Sequence, residues 1–262
     1  MRPLAELPAD EARGLTGLLF DLDDTVLDHG ALTQPAYDAL WNLSRAGLRL
    51  VAVTGRPSGW GEVIARQWPV DGVVTENGAV ALAREGHAVR RDDEADEATR
   101  RSRRIRLAQV VATMQETFPE ARLSDDTHAR LTDVALDIGE SQRVPADVVA
   151  RMEAKARALG VRTFLSTVHL HLTLERHDKA SGTLAWLGAR FGDDPTAARF
   201  RWAFAGDSGN DAACFSAFAT TFGVANVRAS LAQLPVPPRW VATAERGAGF
   251  AEIAARLLAA RA

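Results

Sequence analysis

The sequence is poor in cysteine: Cys214 stands alone among 262 residues. That excludes an internal disulfide and any cysteine-rich zinc module. Charge of either sign is not in excess, since the formal net charge is −3, so nothing global draws the chain to nucleic acid or to an anionic membrane surface. No apolar run approaches the ~20 residues needed to span a bilayer. The opening residues, Met1 to Asp10, hold no long apolar core of a secretory signal. Repeats and low-complexity segments are also missing. These absences fit a chain of the reducing cytoplasm with no membrane and no nucleic-acid partner.

What is present is an ordinary globular composition, 47% hydrophobic and 25% charged, in a length suited to roughly one or two domains. Strand-like and helix-like segments alternate in the first part of the chain. Gly17–Phe20 is a short apolar run, a helix opens near Pro35 and stops at Gly47, and Leu48–Val53 is the next strand. A second helix runs to about Gln67, and residues 70–75 make a third strand. This order predicts a parallel sheet covered by helices. After Asn77-Gly78 the pattern changes. A hairpin around Glu85-Gly86 leads to a charged helix from Asp96 to Phe118, a strand at 134–138, a helix at 145–159, and two strands or one bent strand at 161–175. From Lys179 the first pattern resumes with a helix, a strand at 202–205, a helix from Gly209, a strand at 221–225, a Pro-rich loop at 235–238 and a last helix packed on the core. The expected architecture is a Rossmann-like α/β core, residues 1–82 and 176–262, split by an inserted α+β cap domain, residues 83–175.

The sharpest local signal is Phe20-Asp21-Leu22-Asp23-Asp24-Thr25. Carboxylates crowded at the end of a buried strand repel one another unless a cation lies among them. Alternate residues share a face, so Asp21 and Asp23 can reach one site. Hard oxygen ligands of this kind favour Mg²⁺, which retains waters and takes phosphate as a further ligand. An acidic helix cap or turn is the plainer alternative. The second strand ends Val53-Thr54-Gly55-Arg56, placing a hydroxyl and a glycine N–H at the carboxyl edge of the sheet, where open α/β sheets bind ligands. A later strand ends Gly206-Asp207-Ser208-Gly209-Asn210-Asp211, a second acidic turn. Lys179 stands near a helix start behind His177-Asp178. Each has a bland reading as a turn, a surface lysine or an N-cap, but four such groups at successive element ends have complementary chemistry.

Taken in order, Asp21-x-Asp23-x-Thr25, Thr54, Lys179 and Gly206-Asp207-x-x-Asn210-Asp211 resemble the four motifs of the haloacid dehalogenase-like hydrolases. The long insertion, and Glu76-Asn77-Gly78-Ala79 before it, resemble the large α/β-cap subgroup that holds sucrose-phosphate and mannosyl-phosphoglycerate phosphatases. Many relatives have Gly where this chain has Asp24. The resemblance implies a Mg²⁺-dependent phosphatase of a small phosphorylated metabolite, of the sugar-phosphate class, working through an aspartyl phosphate. It implies Asp21 as nucleophile and Asp23 as the acid and base. Thr54, Gly55, Lys179 and Asn210 would bind phosphate. The metal set would be Asp21, Asp23 (through its carbonyl) and Asp207, with Asp211 either a further ligand or the holder of Lys179.

Other features invite chemistry with less support. His169 and His171 share one strand face; a polar solvated face is the expectation, with a pocket lining or a zinc pair as alternatives. Arg100, Arg101, Arg103, Arg104 and Arg106 form a basic run, but acids precede it. Asp96–Arg100 and Glu97–Arg101 have the spacing of helix pairs, which predicts a solvated helix. Trp60 fits core packing or a sugar face. Rival functions are a phosphomutase of the same superfamily, a catalytically silent sugar-phosphate binder, and a receiver-type module, the last opposed by the chain's length and its second acidic turn.

Overall fold

The computed structural model describes residues 1–261. In chain order the elements are β1 (Arg2–Pro3), α1 (Ala9–Gly14), β2 (Gly17–Phe20), β3 (Leu27–Asp28), β4 (Ala31–Leu32), α2 (Gln34–Arg45), β5 (Arg49–Val53), α3 (Ser58–Gln67), β6 (Gly72–Thr75), β7 (Val80–Glu85) and β8 (Ala88–Asp93). Then come α4 (Glu97–Thr117), β9 (Asp133–Asp137), α5 (Ala146–Ala158), β10 (Arg162–Leu165) and β11 (His169–Thr173). The chain closes with α6 (Lys179–Phe191), α7 (Pro195–Arg201), β12 (Trp202–Gly206), α8 (Ala212–Ala217), β13 (Thr220–Gly223), β14 (Trp240–Val241) and α9 (Arg246–Ala259).

The main sheet has the order β1-β14-β13-β12-β2-β5-β6-β7-β8. It is parallel from β1 to β6, and the hairpin β7–β8 continues it antiparallel. Its central strands are apolar on both faces because helices cover both, as parallel sheets require. Leu18, Phe20 and Ala52 pack with Leu40 of α2 and Phe250 and Ile253 of α9. Leu19, Val51 and Val53 pack with Trp186 and Leu187 of α6 and Phe215 of α8. The C-terminal helix thus lies on the core, as its spacing predicted. No helix among the described residues is long and apolar enough to cross a membrane.

A second, three-stranded antiparallel sheet has the order β10-β11-β9. Leu136, Leu170 and Leu172 on one of its faces bury against Leu107, Val110 and Met114 of α4 and Met152 of α5. His169 and His171 occupy the opposite face, and that face is not solvated: both side chains are buried against the first sheet's loops. Alternation of polar and apolar residues looks the same whether the polar face meets water or charged protein. The division anticipated at residue 83 falls inside β7, whose pairing with β6 and β8 keeps the chain in the main sheet to Asp93. We propose to draw it after Asp93. The Asp96–Arg100 pair does not form either. Asp96 caps α4 through Thr99 N–H, while Arg100 turns to Asp93 and Glu175. Glu97–Arg101 does form, at 3.4 Å.

One backbone contact sets where α6 begins. A Cβ at Gly182 would lie 2.0 Å from the Gly78 carbonyl oxygen, and one at Gly78 would lie 2.1 Å from the Asp178 carbonyl. Gly78 has φ of +100°, a region that suits glycine. This close approach, with an Asp178–Ser181 capping box, seats Lys179 beneath the edge of the sheet. Gly182→Ala should therefore cost about 2–3 kcal/mol, as overpacked positions do. Gly188→Ala on the same helix meets only an ordinary contact at 3.4 Å and should stabilise by up to about 1 kcal/mol. Urea unfolding of the two variants checks the pair of signs.

Candidate active site

Strands β12, β2 and β5 lie side by side, and their carboxyl ends deliver Asp207, Asp21 and Thr54 to one edge. The chain winds outward from β2 through β5 in one direction and reaches β12 on the other side. This is the topological switch point at which open α/β sheets leave a crevice.

Beneath that crevice is a buried ionic cluster. Carboxylate oxygens of Asp21, Asp207 and Asp211 all lie within 4.8 Å of one another. Lys179, 1% exposed, donates from Nζ to Asp21 Oδ1 at 2.7 Å and to Asp211 Oδ1 at 2.8 Å. Asp211 Oδ2 accepts the N–H groups of Asp207 and Ser208 at 2.9 and 3.1 Å. Both oxygens of Asp211 are thus spent on holding the turn and the lysine. Asp207 accepts from Thr25 Oγ1 at 3.2 Å and from Asn226 Nδ2 at 2.9 Å. Asp21 Oδ2, by contrast, has no hydrogen-bond partner among the described residues, and Asp21 borders a cavity.

The cluster carries more acid than Lys179 neutralises. Burial pushes the Asp21 carboxyl up to about 8, with Lys179 opposing and Asp211 and Asp23 adding to the rise. Burial, then Asp211 and Asp21, likewise raise Asp207 well above its ordinary value. Lys179 is shifted upward despite its burial, because Asp21 and Asp211 hold its proton. A buried oxygen-donor set that carries surplus negative charge fits a hard divalent cation.

Asp23 is turned the other way. Its carboxylate takes a forked contact from Arg56, at 2.9 Å from Nε and 2.8 Å from a terminal nitrogen. Arg56 also reaches Glu140 at 3.2 Å and Asp126 at 3.7 Å and stacks 4.6 Å from the Trp60 ring centroid. Trp60 therefore packs on an arginine. Asp24 has φ of +55°, a left-handed backbone that favours glycine and that Asp tolerates. Its carboxylate accepts from Arg246 Nε at 3.1 Å.

A cavity of about 10 Å³, bordered by Asp21, Asp23, Gly55, His169, Ser208 and Asn210 among others, lies above the cluster. That volume is close to the minimum for one water. The second sheet closes it: Arg130 donates to the Gly55 carbonyl at 3.0 Å, and buried Glu76 accepts the N–H groups of Leu131 and Thr132. Of the residues named from sequence, Asp21, Asp23, Gly55 and Asn210 line the cavity. Asp207, Asp211 and Lys179 make the cluster below it, and the Thr54 hydroxyl accepts Arg56 N–H at 3.0 Å. His169 and His171 face the site, and their partners are Glu140 and Asp133. Sequence reasoning missed Arg56, Glu76, Asn226, Arg130, Asp133, Glu140 and Arg246. Arg56, next to Thr54-Gly55, and Glu76, which opens Glu76-Asn77-Gly78-Ala79, had a local signal.

The family model described as sucrose-6F-phosphate phosphohydrolase matches residues 16–248. No curated protein matches the sequence. Among solved structures the chain is similar to a sucrose-phosphatase from Synechocystis, at 19% identity and TM-score 0.64, covering 93% of this chain and 98% of that one. It is similar to a haloacid dehalogenase-like hydrolase from Bacteroides thetaiotaomicron, at 15% and 0.63 over 93% and 99%. A trehalose-6-phosphate phosphatase related protein is alike at 19% and 0.57 over 94% and 97%. At such identities these likenesses show the fold.

The raised carboxyls give a signed expectation. With Asp21 near 8 in the folded chain against an ordinary 3.8, the metal-free protein loses stability as pH rises from about 4 through about 8. A divalent cation binds the deprotonated form, so its benefit must grow over the same window. Mg²⁺ at about 100-fold over its dissociation constant should raise Tm by roughly 5–10 °C at pH 8 and by less at pH 5.5. Thermal scans at the two pH values test this; an equal or larger rise at pH 5.5 would contradict it.

Proposed function

The chain belongs to the sucrose-6F-phosphate phosphohydrolase family, a family of phosphoric monoester hydrolases, and from that premise we propose that it is a Mg²⁺-dependent phosphatase of a small phosphorylated sugar or polyol. The observation that carries this reading is the Asp21–Lys179–Asp211 cluster at the carboxyl edge of β2, roofed by the second sheet.

In this account Asp21 Oδ2 attacks phosphorus in line while Lys179 holds Oδ1 and opposes the rise that burial imposes on the carboxyl. The P–O bond to the leaving group breaks, and the phosphoryl group passes to Asp21. Asp23 gives its proton to the departing oxygen and then takes one from the water that opens the aspartyl phosphate. To do so Asp23 must rotate away from Arg56, which now holds both its oxygens. Thr54, the Gly55 N–H, Asn210 and the Lys179 charge surround the transferred oxygens, where phosphoryl transfer needs stabilisation. Asp21, Asp207 and the Asp23 carbonyl would hold Mg²⁺, and Asp211 serves as the support of Lys179 and the 207–208 turn. When bound, the ion offsets the phosphate charge and keeps the carboxylates anionic.

A cavity of about 10 Å³ admits no sugar phosphate, so the second sheet lifts for entry and closes again. Closure expels water and strengthens the electrostatics around the phosphate. It also lets contacts remote from phosphorus raise the rate. A folded phosphoprotein would hold the roof open. The two names above, for sucrose and trehalose phosphates, support a carbohydrate phosphate for this chain in kind.

Phosphate release across sugar, polyol, amino-acid and protein phosphates, with Mg²⁺ and with a chelator, tests the reading. Sugar or polyol phosphates should lead, and chelation should abolish turnover. Asp21→Asn should lower kcat by at least about 10⁴-fold, and Asp23→Asn by about 10²–10⁴-fold, both without unfolding. Full activity in chelator, or preference for a folded phosphoprotein, would overturn the proposal.

A further inference from the structure

Strand β11 and the turn after β6 place two groups the phosphatase chemistry does not use beside Gly55. A Cβ built on Gly55 would lie 3.1 Å from His171 Nε2 and 3.2 and 3.3 Å from Asn77 Oδ1 and Nδ2. The imidazole of the second sheet and the amide of the first thus face one another across this glycine.

Neither is idle packing. Asn77 is 2% exposed, yet neither atom of its amide has a hydrogen-bond partner among the described residues. Leaving a buried amide unpaired is costly, and such a group calls for an explanation. The backbone holds Asn77 at φ +54°, with its N–H on the Thr54 carbonyl at 3.1 Å. His171 is fixed from behind. Its Nδ1 lies 2.8 Å from Asp133 Oδ2, and Asp133 is held by Arg130 at 3.0 Å.

That backing decides the tautomer. Burial pushes the Asp133 carboxyl up, but Arg130 and His171 outweigh it and hold it at about 2. It is ionised and can only accept, so Nδ1 of His171 carries the proton. Burial in turn lowers the His171 value against the pull of Asp133, which keeps the ring neutral. Nε2 therefore presents a bare lone pair to the cavity that His171 borders. A lone pair beside a phosphate site repels anionic oxygen and takes a donor. The amide opposite offers both a donor and an acceptor.

We propose that His171 and Asn77 form a hydroxyl-reading subsite, in which a neutral hydroxyl of the substrate, close to the phosphoester carbon, donates to His171 Nε2 and is completed by the Asn77 amide. The inference rests on the phosphatase reading and sharpens it. The preferred substrates carry a free hydroxyl next to the phosphorylated carbon, and analogues with hydrogen or a carboxylate there are rejected. Sites built to hydrogen-bond a hydroxyl discriminate strongly against analogues without it, because their own groups are then left unpaired.

The test uses binding, so that it stands apart from turnover. In the Asp21→Asn protein with Mg²⁺, calorimetry compares glycerol 1-phosphate with propyl phosphate. We expect glycerol 1-phosphate to bind at least about tenfold tighter, a preference measurable without altering the subsite. Adding Asn77→Gly, which suits the left-handed backbone, or His171→Phe should bring the two ligands to within about threefold. Equal binding of the two probes by the parent protein, or loss of both by the same factor in either subsite variant, overturns the inference and assigns the pair to phosphate binding or packing. Failure of the phosphatase reading shows separately, as no phosphate release from any substrate by the native chain.

Discussion

The structure depends on one arrangement above all: a lysine ammonium, fully enclosed, between two carboxylates that would otherwise repel. Lys179 belongs to α6, in the last third of the chain, while Asp21 follows β2 and Asp211 follows β12. Its two short contacts tie these elements together under the edge of the sheet. Removing one partner from a buried ion pair costs about 3–5 kcal/mol, because the remaining charge is stranded. The surplus of acid over base is what makes the site chemically useful. A cluster neutral in itself would have no call for a divalent ion, and an unanchored Asp21 would not present one defined oxygen.

The second sheet completes this cluster by supplying its roof. Arg56 bridges the two halves: it holds Asp23 from the core and Glu140 and Asp126 from the roof. Glu76 and Arg130 add buried polar links across the same seam. Such contacts are specific in geometry and modest in net energy, since each exchanges hydration for pairing. A seam of this kind suits a lid that must part and re-form, whereas an apolar seam of the same area would resist opening. Asp23, to which the proposed mechanism gives the leaving-group proton, is held by the same arginine that reaches Glu140 and Asp126 in the roof.

Much of the fold and most of the site could be read from the sequence, and the reasons are local. Apolar runs of strand length followed by Asp or Thr at 21, 54 and 207 mark strand ends, and a sheet edge gathers them without further instruction. What escaped was pairing at a distance. Nothing near Arg56 announces Glu140, 84 residues on, and nothing near Asp24 announces Arg246, 222 residues on. Alternation puts His169 and His171 on one face but does not tell a solvated face from a buried one, because periodicity records which residues face alike and not what they meet. The start of the insertion is a related case, since the division we propose follows β8 rather than residue 83. A hairpin that extends the first sheet and one that opens a second have the same sequence pattern.

The central claim is that the phosphoryl group passes through Asp21. It is tested most directly by mixing the Asp23→Asn protein with Mg²⁺ and an aryl phosphate, whose good leaving group needs no acid. Quenching within one turnover, proteolysis and mass analysis then locate the phosphate. The account predicts an acyl phosphate on the peptide containing Asp21, labile to hydroxylamine and absent from the Asp21→Asn, Asp23→Asn protein. Phosphate on a serine or histidine, or an adduct that survives the loss of Asp21, would contradict it.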